Sequence, residues 1–304
     1  MSKPPDRLDA GAMGLMVLFC AVWGLNQVAI KFADGGIAPV LQAGLRSSGA
    51  AALLWLWART RGIPLFVQDG MLGLGCLVAV LFAAEFVFLY GGMVFTNASH
   101  GVLFLYMAPF IVALGAHFFT GEELRPIHLL GLGCAFAGLL LASADSLRLP
   151  TYRELLGDGL ELVAASLWGA TTVFIKATRL ARISAHRVLF YQLLGSAPVL
   201  LLLSAALGER GAFAATPAIW GALAFQTVIV AFISYLGWFK LISLYPVFRL
   251  SSFSFLTPLF GMLAGGLILG EPITLTLMAA MALVGCGIYL VNRDRARKPI
   301  AIQV

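Results

Sequence analysis

Trp23-Gly24-Leu25-Asn26-Gln27-Val28-Ala29-Ile30-Lys31 returns 145 residues later as Trp168-Gly169-Ala170-Thr171-Thr172-Val173-Phe174-Ile175-Lys176. In a chain of 304 residues that offset is close to half the length. A second echo has a slightly different spacing: Ala108-Pro109 and Gly121-Glu122 recur as Thr257-Pro258 and Gly270-Glu271, 149 residues on. The second half therefore gains four residues part way along. A self-similar chain is read first as copies of one unit, here 1–145 and 146–304.

Composition says what surrounds the unit. Apolar residues make up 61% of the chain and charged residues 11%, against roughly 45–50% and roughly 25% in soluble domains. Such a chain lacks the polar surface that water demands, so its solvent is lipid. The net charge of +6 lies in short clusters between apolar runs, which is not a nucleic-acid footprint. Cys20, Cys76, Cys134 and Cys286 all fall in apolar stretches, without a CxxC or a neighbouring His pair, and read as buried free thiols. The apolar run from Ala10 is too long for a cleaved signal, and Asn26, Gln27 and Lys31 spoil a cleavage region, so a retained first helix is expected.

Spans of about 20 apolar residues fall at 11–32, 38–58, 70–91, 98–119, 126–144, 158–178, 184–207, 218–240, 248–269 and 273–291. The expected fold is all-α and polytopic, with ten transmembrane helices and no soluble domain. With the N-terminus inside, fifteen of the 20 Lys and Arg fall on the cytoplasmic side and four on the other, with Arg46 inside the second span. That asymmetry predicts both termini cytoplasmic. Each half then holds an odd number of helices, so the second enters from the opposite face. Inverted five-helix repeats are a signature of secondary transporters, whose sites lie near the midplane between the repeats.

The run Leu256-Thr257-Pro258-Leu259-Phe260 through Leu269-Gly270-Glu271-Pro272-Ile273-Thr274-Leu275 to Gly285-Cys286-Gly287-Ile288-Tyr289-Leu290 resembles the closing helix pair of EamA-type proteins, in the drug/metabolite transporter superfamily. Ala108-Pro109, Gly121-Glu122 and Gly138-Leu139-Leu140 repeat it more loosely, and the two Trp-Gly starts fit as well. The resemblance covers essentially the whole chain. It implies an inner-membrane carrier of ten helices, commonly an exporter of amino acids or other metabolites, with aromatic-amino-acid exporters nearest in kind.

Gly121-Glu122 and Gly270-Glu271-Pro272 read as hairpin devices: glycine ends one helix in a left-handed conformation, proline starts the next, and the carboxylate faces that next helix's positive end. Gly131, Gly133, Gly138, Gly261 and Gly265 read as small faces for close helix packing. Trp23, Asn26, Gln27 and Ile30 share one helical face, matched by Trp168, Thr171, Thr172 and Ile175, and that face is expected to line a cavity. Glu85, whose repeat-mate is Ser234, lies in the middle of the third span. It is read as a proton carrier, a partner for a substrate ammonium, or a structural pair with Arg46. Phe86 and Tyr90 match Tyr235 and Phe239, with Trp238 alongside; Tyr90 and Trp238 sit where an interfacial belt would. His100, expected to be solvated or capping, joins Tyr106, Ser251, Ser254 and Phe255 as the remaining candidates.

No histidine or carboxylate pair has metal-ligand spacing, and no phosphate-cradling loop appears, so neither a metal, a cofactor nor ATP is expected. The reading is a secondary transporter that exports small amphipathic metabolites, amino acids including aromatic ones, by alternating access. An aromatic pocket takes the flat apolar part while Glu85 or helix-end dipoles hold the charged end. A multidrug or organic-cation exporter is the alternative, through cation–π contacts. A membrane-embedded enzyme would need more than Glu85 and neutral partners, and a receptor or scaffold has no soluble domain to serve. The expected partners are a small-molecule substrate and the bilayer of the cell inner membrane.

Overall fold

A computed structural model describes residues 7–147, 149–209, 211–214, 216–270 and 273–293. Lys3, Arg148, Arg210, Arg295, Arg297 and Lys298 of the charge asymmetry lie outside the described residues, as do Glu271 and Pro272 of the second hairpin motif. Ten helical segments follow one another: α1 (Ala10–Ala33), α2 (Pro39–Thr60), α3 (Leu72–Phe95), α4 (Ala98–Leu105 and Ala108–Thr120), α5 (Pro126–Ser143), α6 (Tyr152–Ala177), α7 (Ala185–Ala206), α8 (Pro217–Phe225, Gln226–Ser234 and Tyr235–Leu244), α9 (Val247–Ser252, Phe253–Phe255 and Leu256–Leu269) and α10 (Leu275–Asn292). Among the described residues, nine of these are long and apolar enough to cross a membrane. The tenth, α2, has a comparable 22 residues but turns Gln42, Arg46 and Ser47 into the bundle.

The outer surface is apolar over much of its length, and polar side chains lie inside among an apolar core. Leu18, Val80, Phe118, Phe119, Leu202 and Leu267 are exposed, while Gln192, Ser196 and Gln226 are buried. In lipid this costs nothing for the apolar side chains, and the buried polar groups must find partners within the bundle.

Helix pairings respect exchange of the halves. α1 lies on α9 as α6 lies on α4, α3 meets α6 as α1 meets α8, and α3 meets α7 as α2 meets α8. The α2–α7 and α5–α10 contacts are their own counterparts. At the second of these, an added Cβ on Gly131 would lie 2.7 Å from the Gly287 carbonyl oxygen, and one on Gly287 2.5 Å from that of Gly131, so backbones touch there. Gly138 faces α10 similarly, while Gly133 faces open space. The start of α1 and the end of α6 share one end of the bundle: Tyr245 donates its hydroxyl to Asp9, and Lys176 Nζ donates to the Tyr245 carbonyl at 2.9 Å. These two helices, which carry the repeated Trp-Gly segment, thus run in opposite directions.

The four extra residues also find their place. α3 and α8 start 145 residues apart (72 and 217) and end 149 apart (95 and 244), so the gain lies inside α8. Its centre, Gln226–Ser234, is a π-helix, whose wider turn absorbs extra residues and brings the following face back into register. The Ala-Pro and Thr-Pro echoes have a comparable reason. α4 breaks at Tyr106-Met107 and α9 tightens to a 3₁₀ turn at Phe253–Phe255, each just before Pro109 or Pro258, where a ring without an N–H interrupts the ladder.

Three expectations need correction. α6 begins at Tyr152, six residues ahead of the predicted start, because Thr151 and Glu154 form a capping box on a polar first turn that an apolar window passes over. Only Cys20 of the four cysteines is buried; Cys76 and Cys286 are exposed and Cys134 is partly so. Gly121 does end α4 left-handed, at φ 72°, but the Glu122 carboxylate does not serve α5. It accepts from Val247 N at 3.0 Å and Phe248 N at 3.3 Å, the opening of α9 in the other half.

Candidate functional site

The aromatic residues meet at the contact between the halves. Trp23 packs edge-on against Tyr235 and Trp238, with ring centroids 6.3 and 5.8 Å apart, and its indole Nε1 donates to Ser234 Oγ at 2.8 Å. Trp168 packs edge-on against Tyr106 at 5.9 Å. Tyr106 and Phe255, 149 positions apart and so counterparts, lie 6.3 Å from one another. Trp23 thus uses the repeat-mate of Glu85 as its acceptor, a cross-half bond that follows from the inverted pairing.

Trp238 is buried and belongs to this cluster, not to an interfacial belt, and Tyr90 stacks on Phe86 inside the bundle at 6.2 Å. Their positions near helix ends suggested otherwise because sequence distance from an end takes no account of a neighbouring helix that covers it. The polar groups of the matched faces divide. Asn26 is buried with Oδ1 unpartnered, whereas Gln27 is exposed, with its Oε1 directed at Gly261. Thr171 and Thr172 are buried, and their hydroxyls bond back to the carbonyls of Leu167 and Trp168. These two serve their own helix. Ser251 and Ser254 behave the same way, donating to Phe248 and Ser251 carbonyls.

Glu85 makes no hydrogen bond or contact ion pair among the described residues. Arg46 is its charged neighbour within electrostatic range, and both act on Tyr235. The Arg46 guanidinium lies over the Phe86 ring at 5.0 Å, with Nε and Nη2 buried and unpartnered. A structural Arg46–Glu85 salt bridge is therefore not formed. The two side chains act on the same tyrosine without touching, and two guanidinium donors of Arg46 are unspent. In the sequence Arg46 stands out only as a partner for Glu85, yet a lone arginine in a span is itself a signal that it can hold something else.

The larger omission is on α6. His100 is not solvated: it is buried, with Nδ1 3.1 Å from Asp158 Oδ2. Asp158 and Glu161 are 2% and 1% exposed, so Glu85 is not the one acidic group inside the bundle. The late predicted start of α6 placed Asp158 at its first residue and hid both.

The two ends are closed by carboxylates that reach across the halves. At the end where α1 starts, Glu122 caps α9 as described. Burial pushes its carboxyl above the ordinary value, while the two backbone N–H groups pull it back. Arg187 of α7 grips Asp69 with two bonds of 2.6 and 3.0 Å, holding that carboxyl down to about 2. At the other end Glu209 accepts from Val40 N and Leu41 N, at 3.0 and 2.8 Å, capping α2 from the loop before α8. Asp34 there is raised by burial against the Gln42 amide, which lowers it, with Glu209 adding to the rise. A surface groove lined by Trp55, Ala58, Arg59, Ile63, Leu65 and Phe66 lies at the Asp9 end, apart from the aromatic interior.

Against known proteins, the model of the EamA-like transporter family matches twice, over residues 11–144 and 155–293. A protein of Archaeoglobus fulgidus named "Uncharacterized transporter" is 26% identical over 92% of this chain and 98% of its own length. "Probable amino-acid metabolite efflux pump" is the name of two relatives, in Escherichia coli and Salmonella typhimurium. Each is 28% identical, over 92% and 91% of this chain and 93% of its own length. One crystal structure superposes with a TM-score of 0.80 at 19% identity, covering 92% of this chain and 98% of that one, and shares the fold.

Proposed function

Because the chain belongs to the EamA-like transporter family, a multi-pass membrane protein that moves a small molecule and is not an enzyme, we propose that it exports amino acids, aromatic ones included, by alternating access. The observation that carries this reading is the separation of buried Arg46 from half-buried Glu85 beside the aromatic cluster. Arg46 has two unspent guanidinium donors, suited to a carboxylate; Glu85 suits an ammonium, and Tyr235 lies within reach of both and of Trp23. A zwitterion with a flat side chain matches that set, and its carboxylate relieves a buried cation that packing leaves unsatisfied. The pump names of the two 28% relatives agree with it. Trp23, Asn26, Phe86, Tyr90, Tyr106, Trp168, Trp238 and Phe255 form the surrounding wall. Gln27, Thr171, Thr172 and Ser251 support it, and His100 belongs to a separate cluster.

We place the Asp9 end in the cytoplasm of the inner membrane, on the Lys and Arg asymmetry, and divide the repeats at residue 145. Fusions of a cytoplasm-active reporter at both termini test the first.

The decisive experiment is a thermal-shift screen of the purified protein with amino acids and planar organic cations, followed by counterflow in proteoliposomes. Amino acids should stabilise the wild type. Trp168→Ala and Tyr235→Ala should weaken binding by about 1–3 kcal/mol at normal yield. Stabilisation by cations alone, surviving Arg46→Gln, would replace the amino-acid reading with the cation exporter.

A further inference from the structure

Deep to the start of α6, two carboxylates are buried on one helical face. Asp158 and Glu161 are three residues apart, and so lie over one another. Their surroundings differ. Asp158 is held by two donors, Thr96 Oγ1 at 2.5 Å on Oδ1 and His100 Nδ1 at 3.1 Å on Oδ2. The Asn97 side chain accepts from His100 N at 3.0 Å, fixing the first turn of α4 that carries the imidazole. Glu161 has Oε1 buried without a partner, and the charged group that acts on it is Asp158. It is pressed between glycines: an added Cβ on Gly92 of α3 would lie 2.8 Å from that oxygen, and one on Gly101 of α4 3.5 Å.

The other groups nearby are committed. Glu154 accepts from Thr151 N and Oγ1 at 2.8 Å each, and the Arg153 guanidinium lies over the Phe95 ring at 5.4 Å. α3 presents Thr96 and glycine at this level, and α4 presents His100. Among the described residues, two carboxylates here share one imidazole, and both cannot be kept ionised in a site closed to water. The fold does not require them either. The positions 145 residues earlier, in α1, are Met13 and Met16, and Met16 is fully buried. One copy of the repeat packs with thioethers where the other carries acids.

We propose that Glu161, Asp158 and His100 form a proton-binding site, separate from the aromatic interior. Asp158 is the anion held by Thr96 and His100, and Glu161 carries the proton while this end of the bundle is closed. Glu161 exchanges it with water when α3, α4 and α6 part. In the transport cycle, which rests on the export reading above, the proton taken up here is the counter-ion for the exported molecule.

Proton binding is tested without any substrate. Infrared titration of the lipid-reconstituted protein should show a protonated-carboxyl band that Glu161→Gln removes and His100→Gln moves to a different pH. Glu85→Gln identifies the separate contribution of Glu85. Glu161→Gln should also melt no lower than wild type, because the acid it replaces is held neutral. A band fully retained in Glu161→Gln, or a lowered melting temperature there with no band change in His100→Gln, overturns the site. Coupling is read separately, as counterflow and as pH-gradient-driven accumulation in proteoliposomes. Glu161→Gln should keep counterflow and lose at least tenfold of the gradient-driven accumulation. Full gradient-driven accumulation in that variant, or a dependence on sodium in place of pH, overturns the coupling. Failure of every amino acid to be carried would overturn the export reading while leaving the infrared result to decide proton binding.

Discussion

Two hydroxyl–aspartate ties close the protein, one at each end, and their donors are counterparts in the repeat. Thr96, just past α3, and Tyr245, just past α8, are 149 positions apart, and each donates at 2.5 Å to an aspartate on the first helix of the other half. There the likeness stops. Asp9 is the N-cap of α1, and its carboxylate also accepts from Ala12 N at 2.7 Å. Asp158 is buried two turns inside α6, with a second acid behind it and His100 beside it. One tie is a helix cap reinforced from across the interface. The other places a charge where water is excluded. An inverted repeat can thus turn counterpart donors to two purposes, because the acceptors they meet sit at different positions in the two copies.

The largest effect should come from prying the deep tie apart. An added Cβ on Gly157 would lie 2.5 Å from Thr96 N and 2.8 Å from the Gly92 carbonyl oxygen, both backbone atoms, whereas Gly14 in α1 meets nothing within 4 Å. Gly157→Ala should therefore cost about 1–3 kcal/mol through forced separation of α3 and α6. Gly14→Ala should be neutral or gain up to about 1 kcal/mol from helix propensity. Melting in detergent compares them, and equal effects would mean that the two ends are packed alike.

Removing the donors alone should do less. Thr96→Val leaves one oxygen of a buried carboxylate without its donor, costing about 1–3 kcal/mol at the low end of that range because His100 remains. Tyr245→Phe should change the melting temperature by less than Thr96→Val, since water and Ala12 N–H still serve Asp9. A reversed order would place Asp9, not Asp158, at the more sensitive tie.

The smallest effect is in the pH profile. The Tyr245 hydroxyl and the Ala12 N–H hold the Asp9 carboxyl below its ordinary 3.8, and Arg187 holds Asp69 down to about 2. For a depressed carboxyl, the stabilisation is present above the unfolded value near 3.8 and is lost as pH falls through the folded value. Wild type should keep its melting temperature down to about pH 4 and lose it below. Tyr245→Phe and Asp69→Asn should each flatten part of that acid limb, and an unchanged limb in both would assign it to other carboxylates.

Much of the architecture was legible in the residues because each signal was local. Apolar length marks a span and Gly121 marks a helix end, whereas the interruptions of α4 and α9 before Pro109 and Pro258 appear only in the structure. The repeat was legible because it needs only a count along the chain. The grouping of the candidate residues was legible in part. Trp23, Tyr106, Trp168, Tyr235, Trp238 and Phe255 do gather, but Thr171, Thr172, Ser251 and Ser254 spend their hydroxyls on their own helices. A hydroxyl in a helix has a carbonyl one turn back within reach, and no spacing rule says whether it will use it.

By itself the sequence determined that this is a two-copy, all-helical membrane protein, since burying or exposing apolar length is a property of each segment alone. Only the tertiary structure decided that Glu122 caps α9 instead of α5, that Arg46 and Glu85 stand apart, that Asp158 meets Thr96 and His100, and that Glu161 is pressed against glycines of α3 and α4. Those outcomes depend on which helix of the other half faces each charge. A charge in a low-dielectric interior is governed by its few nearest neighbours in space, most of which come from distant parts of the chain.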